Sequence, residues 1–192
     1  MTETEKKKAM TFTGIALFVI IADQWTKYAV RTTPDLQQWV IIEDWLRFFY
    51  TQNPGMALGI DILPTQVIGV ISTLAATFII YLLVRFLPHS NWGQILCMGL
   101  ITGGAIGNII DRMFMGFIEG NGGFMDGHVV DFIHFYLEIG DFDVFPYIFN
   151  VADVAISTAV IAGLVFYKKL IPTEEELQTI KAEREAGKDK DS

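Results

Sequence analysis

The fold class predicted here is all-α and membrane-embedded: four transmembrane helices with both termini cytoplasmic. A small β-rich surface element and a membrane-surface loop or helix are expected on the outer side. Three observations lead to it. Hydrophobic residues make up 52% of the 192-residue chain, more apolar surface than a soluble fold of that size can hide. Four apolar runs each reach the roughly 20 residues that a bilayer crossing needs. Basic residues gather at one set of ends of those runs, which orients them.

The first run, from about Met10 to Val30, follows a short cytoplasmic tail, 1–9, that carries Lys6, Lys7 and Lys8. No small-x-small cleavage site closes it, so it reads as a span rather than a secretory signal peptide. The loop from Arg31 to Pro64 contains two β-prone runs, Trp39 to Glu43 and Leu46 to Thr51, ending in the turn former Asn53-Pro54-Gly55. A small sheet on the membrane surface is expected there, its aromatics at the interface. The second and third spans, about 65–87 and 92–114, are separated by Arg85 and His89. The next loop, Met115 to Pro146, has no Lys or Arg and holds Glu119, Asp126, Asp131, Glu138, Asp141 and Asp143. It includes a glycine-rich insert, Glu119 to Gly127, then a run from His128 to Tyr136 apolar enough to lie at the bilayer surface. The fourth span, about 147–170, ends in Lys168 and Lys169, and a charged cytoplasmic tail follows from 171 to 192. The membrane domain is thus 10–170. A net charge of −8 argues against nucleic acid as a partner, and the single cysteine, Cys97, excludes an internal disulfide.

Chemistry enters through a repeated Asn-x-x-Asp pattern, Asn108 to Asp111 and Asn150 to Asp153, inside apolar sequence. A spacing of three puts each pair on one helix face, and an ionisable group in a membrane is by default a functional-site hypothesis. With the topology above, Asp23, Lys27, Asn53, Asn108, Asp111, Asp131, Asn150 and Asp153 all collect near the outer surface. Asp23 and Lys27 read as an i, i+4 ion pair, and Arg112 as the cation that keeps Asp111 ionised. Asn108 and Asn150 read equally as groups that satisfy backbone where helices start or break. His128 and His134, six apart, match no familiar helical ligand pair, so no metal and no cofactor is expected. Asp131 and Asp153 have no basic neighbour, and apolar residues surround Asp131. Two such carboxylates brought together share a proton, so that one activates water while the other polarises a carbonyl. A small proton-coupled carrier using an Asp relay is the alternative, although carriers usually bind at the midplane and show internal repeats.

Five blocks, taken in order, resemble the lipoprotein signal peptidases (signal peptidase II), bacterial aspartyl membrane proteases. They are Asp23-Gln-Trp-Thr-Lys27, Asn53 to Gly59, Gly103 to Arg112, Val129-Val-Asp-Phe132 and Phe149-Asn-Val-Ala-Asp153. The resemblance implies Asp131 and Asp153 as the catalytic dyad. It implies Asn53, Gly55, Asn108, Asp111, Arg112, Asn150 and Ala152 as substrate-binding or supporting residues, with Asp23 and Lys27 as structural polar support. It further implies a prolipoprotein substrate with a diacylglyceryl-modified cysteine, cut on the N-terminal side of that cysteine. Membrane lipids and cyclic-peptide inhibitors are implied partners. The implied location is the inner membrane, with the site toward the extracytoplasmic face. The chain departs from the family pattern in its 119–127 insert and in Leu58, where an aromatic residue is common.

Overall fold

The structure, a computed structural model, describes residues 2–55, 64–120, 122–136, 138–140, 142–166 and 178. Of residues 138, 139, 142 and 143 it describes the backbone alone. Leu58, Asp141, the expected end of the fourth span at 167–170 and nearly all of the charged tail lie outside the described residues.

Helix α1 runs Glu3–Thr32 and starts earlier than the hydropathy suggests. Thr2 accepts a hydrogen bond from the Glu5 N–H while the Glu5 carboxylate reaches back to Thr2, so a capping box makes most of the expected tail helical. The helix stops at Thr32 because Pro34 holds Thr33 in extended backbone. Strands β1 (Val40–Ile42) and β2 (Leu46–Asn53) follow and pair antiparallel. Helix α2 spans Thr65–Phe86 and runs into a short turn, Leu87–His89, containing Pro88, which cannot continue the α-helical ladder. Helix α3 spans Trp92–Glu119, opened by an Asn91–Gln94 capping box and closed by Gly120 in left-handed backbone at φ 68°.

The remaining strands are β3 (Val129–Phe135), β4 (Glu138–Ile139), β5 (Phe142–Asp143) and β6 (Ile148–Phe149). The sheet order is β1-β2-β3-β6, all antiparallel, with β4 and β5 as a separate pair. This corrects the expectation of a surface loop or helix at 128–136. Val129, Val130, Phe132 and Ile133 favour extended backbone, and β3 pairs with β2 on one side and, at Ile133 and His134, with β6 on the other. That second pairing also shortens the fourth apolar helix at its start. Residues 148–149 belong to the sheet, and α4 is described as Val151–Val165.

Among the described residues, three helices, Glu3–Thr32, Thr65–His89 and Trp92–Glu119, are long and apolar enough to cross a membrane, and α4 is a shorter apolar helix of 15 described residues. Helix α3 is the hub. A Cβ on Gly103 would lie 2.7 Å from the Ala16 carbonyl of α1, and one on Gly104 would lie 2.5 Å from the Ala152 carbonyl of α4. These glycines let two helices pack at backbone distance on α3. The sheet crosses one end of this bundle, where α1 and α3 finish and α2 and α4 begin. Its β3 residues alternate: Val130 and Phe132 join a core with Val30 and Met115, while Val129 and Asp131 line a cavity.

Candidate active site

That cavity, about 480 Å³, lies between α2, α3 and α4 beneath the sheet. Its walls are mostly apolar: Ala75, Ala76 and Ile79 from α2, Ile101 and Ala105 from α3, and Ile156 from α4. Its polar groups are Asn53, Asn108, Arg112, Asp131 and Asp153, with Ser72 on the α2 wall.

Local structure explains how two carboxylates meet there. Asp131 reaches the cavity because its strand neighbours point to the opposite, core face. Asp153 sits in the first turn of α4, where its own N–H is held by the Asn150 side chain at 3.0 Å and its Oδ2 accepts the Asn150 N–H at 3.2 Å. The second Asn-x-x-Asp is therefore a capping box and not a repeat on one helix face. The first pattern, Asn108 to Asp111, does lie within a helix.

Asn150 also bridges the two acids, because its Nδ2 donates to Asp131 Oδ1 at 2.7 Å. Asn53 Nδ2 donates to Asp131 Oδ2 at 3.1 Å, and Asn108 Nδ2 donates to Asp153 Oδ1 at 2.9 Å. Burial pushes the Asp131 carboxyl up to about 7, with the neighbouring Asp153 charge acting in the same direction and the Asn53 and Asn150 donors opposing.

Behind the acids lies a buried ionic cluster. Lys27 Nζ is 2.8 Å from both Asp23 Oδ2 and Asp111 Oδ2 and donates to Asn108 Oδ1 at 3.0 Å. All three ammonium protons thus have acceptors. The two outer carboxylates continue the chain of contacts. Asp23 Oδ1 accepts the Ala152 N–H at 2.9 Å, and Asp111 Oδ2 accepts the Val130 N–H at 3.1 Å. Each therefore grips the backbone N–H of the residue immediately before one of the two cavity acids.

A family model described as signal peptidase (SPase) II matches residues 15–169. This chain belongs to the signal peptidase II family. It is therefore a hydrolase of the aspartic peptidase class, and the carrier alternative is overturned. A lipoprotein signal peptidase of Chlorobium luteolum is 37% identical, over 86% of this chain and 95% of its own. One of Chlorobium phaeobacteroides is 35% identical, over 80% and 93%. Among solved structures, a bacterial membrane enzyme determined by the in meso method at 1.9 Å resolution superposes with a TM-score of 0.63 at 30% identity. That likeness covers 85% of this chain and 94% of the other.

Within this signal peptidase II fold, the residues named from sequence are brought together, with some changes of partner. Asp111 is paired by Lys27 rather than by Arg112. Arg112 instead donates to the carbonyls of Asn53, at 3.0 Å, and Gly127, at 3.3 Å. Gly55 turns the chain after β2 at φ 106° and gives its N–H to Asn53 Oδ1 at 2.8 Å. His134 accepts from Arg47 Nε at 3.0 Å, and among the described residues no group of three His, Cys, Asp or Glu has a metal-holding arrangement. Gln24 was missed. Its Nε2 donates to Asp23 Oδ2, the Gly107 carbonyl and Asp111 Oδ1 at 3.2, 3.1 and 3.0 Å. A neutral amide inside an apolar span was the available signal.

Proposed function

We propose that this protein is the endopeptidase that removes signal peptides from diacylglyceryl-modified prolipoproteins, cutting on the N-terminal side of the lipidated cysteine. Asp131 and Asp153 are its catalytic dyad. In this mechanism Asp131, its carboxyl pKa raised by burial and by the neighbouring Asp153, carries the shared proton, and Asp153 is the base. Asp153 takes a proton from water, and the hydroxyl oxygen bonds to the scissile carbonyl carbon as Asp131 passes its proton to the carbonyl oxygen. Collapse of the tetrahedral carbon breaks the C–N bond: the proton on Asp153 goes to the leaving cysteine nitrogen, and one hydroxyl of that carbon returns its proton to Asp131 as it becomes the new carboxyl's C=O. Asn53, Asn108 and Asn150 orient the two carboxylates, Arg112 and Gly55 hold the β2 end, and Asp23, Lys27 and Asp111 fix the backbone behind them.

The observation supporting this most directly is that both carboxylates share a cavity whose walls are otherwise mostly apolar. A diacyl anchor gains about 0.8 kcal/mol per buried methylene, so the lipidated cysteine stays at the membrane and the water-using site has to come to it. The protease domain spans 10–170 and crosses the bacterial inner membrane four times, with both termini cytoplasmic and the site outside. Membrane lipids are its partners, and cyclic-peptide inhibitors of the family act on it.

Cleavage of a diacylglyceryl-modified prolipoprotein by the purified enzyme tests this reading directly. Asp131→Asn and Asp153→Asn enzymes that still insert and fold are expected to lose activity by a thousandfold or so, within the range of general acid–base contributions. Substantial turnover by a folded Asp131→Asn enzyme would move the role to another acid.

A further inference from the structure

The glycine-rich segment after α3 is more than a turn. Gly122 N–H donates to the Gly116 carbonyl at 3.1 Å and Gly127 N–H to the Arg112 carbonyl at 3.1 Å. The segment thus folds back along the last turns of α3, with the Phe124 ring edge-on to Phe114. Its tip then meets α2 along one face. Gln66 Nε2 donates to Asp126 Oδ2 at 2.9 Å, the Met125 carbonyl lies where a Cβ on Gly69 would be 2.7 Å away, and Thr73 Oγ1 approaches Met125 Sδ at 4.0 Å. Positions 66, 69 and 73 share a helix face.

Among the residues of α2, Gly69 alone is buried, and the segment is what buries it. The next turns of that helix supply Ser72, Ala75, Ala76 and Ile79 to the cavity wall. Residues 122–127 therefore stand between α3, which carries Asn108 and Arg112 of the site, and the helix that forms its α2 wall.

We propose that this segment is a strut that sets the spacing of α2 from α3, and so the width of the cavity. It thereby selects substrates by the bulk of the residue before the cysteine. The selection rests on the proposed function; the spacing does not.

The test uses Gly69→Ala and a Gln66→Ala/Gly69→Ala pair in the full-length enzyme. Alanine is the better helix former, so any loss from Gly69→Ala reports the contact and not damage to α2. Spin labels at Leu74→Cys and Ile161→Cys, in a Cys97→Ala background, measure the distance between α2 and α4. Both of those native side chains are exposed. The expected result is a longer or broader distance distribution than in the parent. Discrimination between prolipoproteins with Ala and with Leu before the cysteine should fall about tenfold, the scale of a pocket that loses its fit to a few methylenes. An unchanged distance distribution overturns the strut. A changed distribution with unchanged discrimination overturns its role in selection. If the parent fails to cleave either substrate, the proposed function falls, while the distances still decide the strut.

Discussion

At Asp131, burial and the repulsion of Asp153 raise the carboxyl from its ordinary 3.8 to about 7, against hydrogen bonds from Asn53 and Asn150. Two outcomes follow with a definite sign. Activity that needs the proton on Asp131 is present below about 7 and lost as pH rises through it, so kcat/KM should fall on the alkaline side with an apparent pKa near that value. Stability moves the same way. The folded state holds a proton that the unfolded chain releases above 3.8, so native stability declines between pH 4 and 7 and stays low above. Asp131→Asn removes this dependence but puts an amide N–H₂ against the donors of Asn53 or Asn150, costing about 1–3 kcal/mol at any pH. Melting temperatures should therefore favour the variant more at pH 8 than at pH 5, relative to the parent. A pH-independent difference would mean that Asp131 is not held protonated. Chelators should leave cleavage intact; loss in EDTA restored by zinc would turn attention to His128 and His134. Asp131 and Asp153, which line one cavity, stand out in the sequence because no cation stands beside either acid. Gln24 carries a weaker signal, an uncharged amide inside an apolar span.

Element by element, the apolar runs showed where helices lie, while their ends depend on caps. Thr2, Asn91 and Asn150 each open a helix with a capping box, and of these only Asn150 stands out in the sequence, through its Asn-x-x-Asp pattern. β3 is not legible as a strand from its apolar run alone, because its strand state comes from partners far away in sequence. The Lys27 cluster shows the same effect: the Asp23–Lys27 pair follows from i, i+4 spacing, but its second carboxylate comes from α3. With side-chain exposures of 0–1%, these three charges depend on one another. Lys27→Met should cost roughly 3–5 kcal/mol, as breaking a buried pair does. Adding Asp23→Asn and Asp111→Asn should return much of it. A melting temperature for Lys27→Met equal to the parent's would refute this account. Gly104→Ala tests the helix contact in the same assay and should cost about 1–3 kcal/mol through overpacking against Ala152.

For the whole molecule, one geometric fact organises everything else. The ends of α1 and α3 and the beginnings of α2 and α4 meet at the sheet, and the buried polar cluster lies on that side. Lys6 to Lys8, Arg85 and His89 belong to the opposite ends of α1 and α2. Positive charge is retained on the cytoplasmic side of a membrane, so the sheet and the cavity should face outward. Single cysteines at Glu43, in the turn between β1 and β2, and at His89 separate the two orientations in a Cys97→Ala background. Both positions are exposed. In spheroplasts of an expressing bacterium, a membrane-impermeant maleimide should label the Glu43→Cys protein directly and the His89→Cys protein only after lysis. The reverse pattern would put the dyad on the cytoplasmic side, where it could not meet a translocated lipoprotein precursor. Labelling of both before lysis would mean that the chain does not separate the two faces as a four-span protein must.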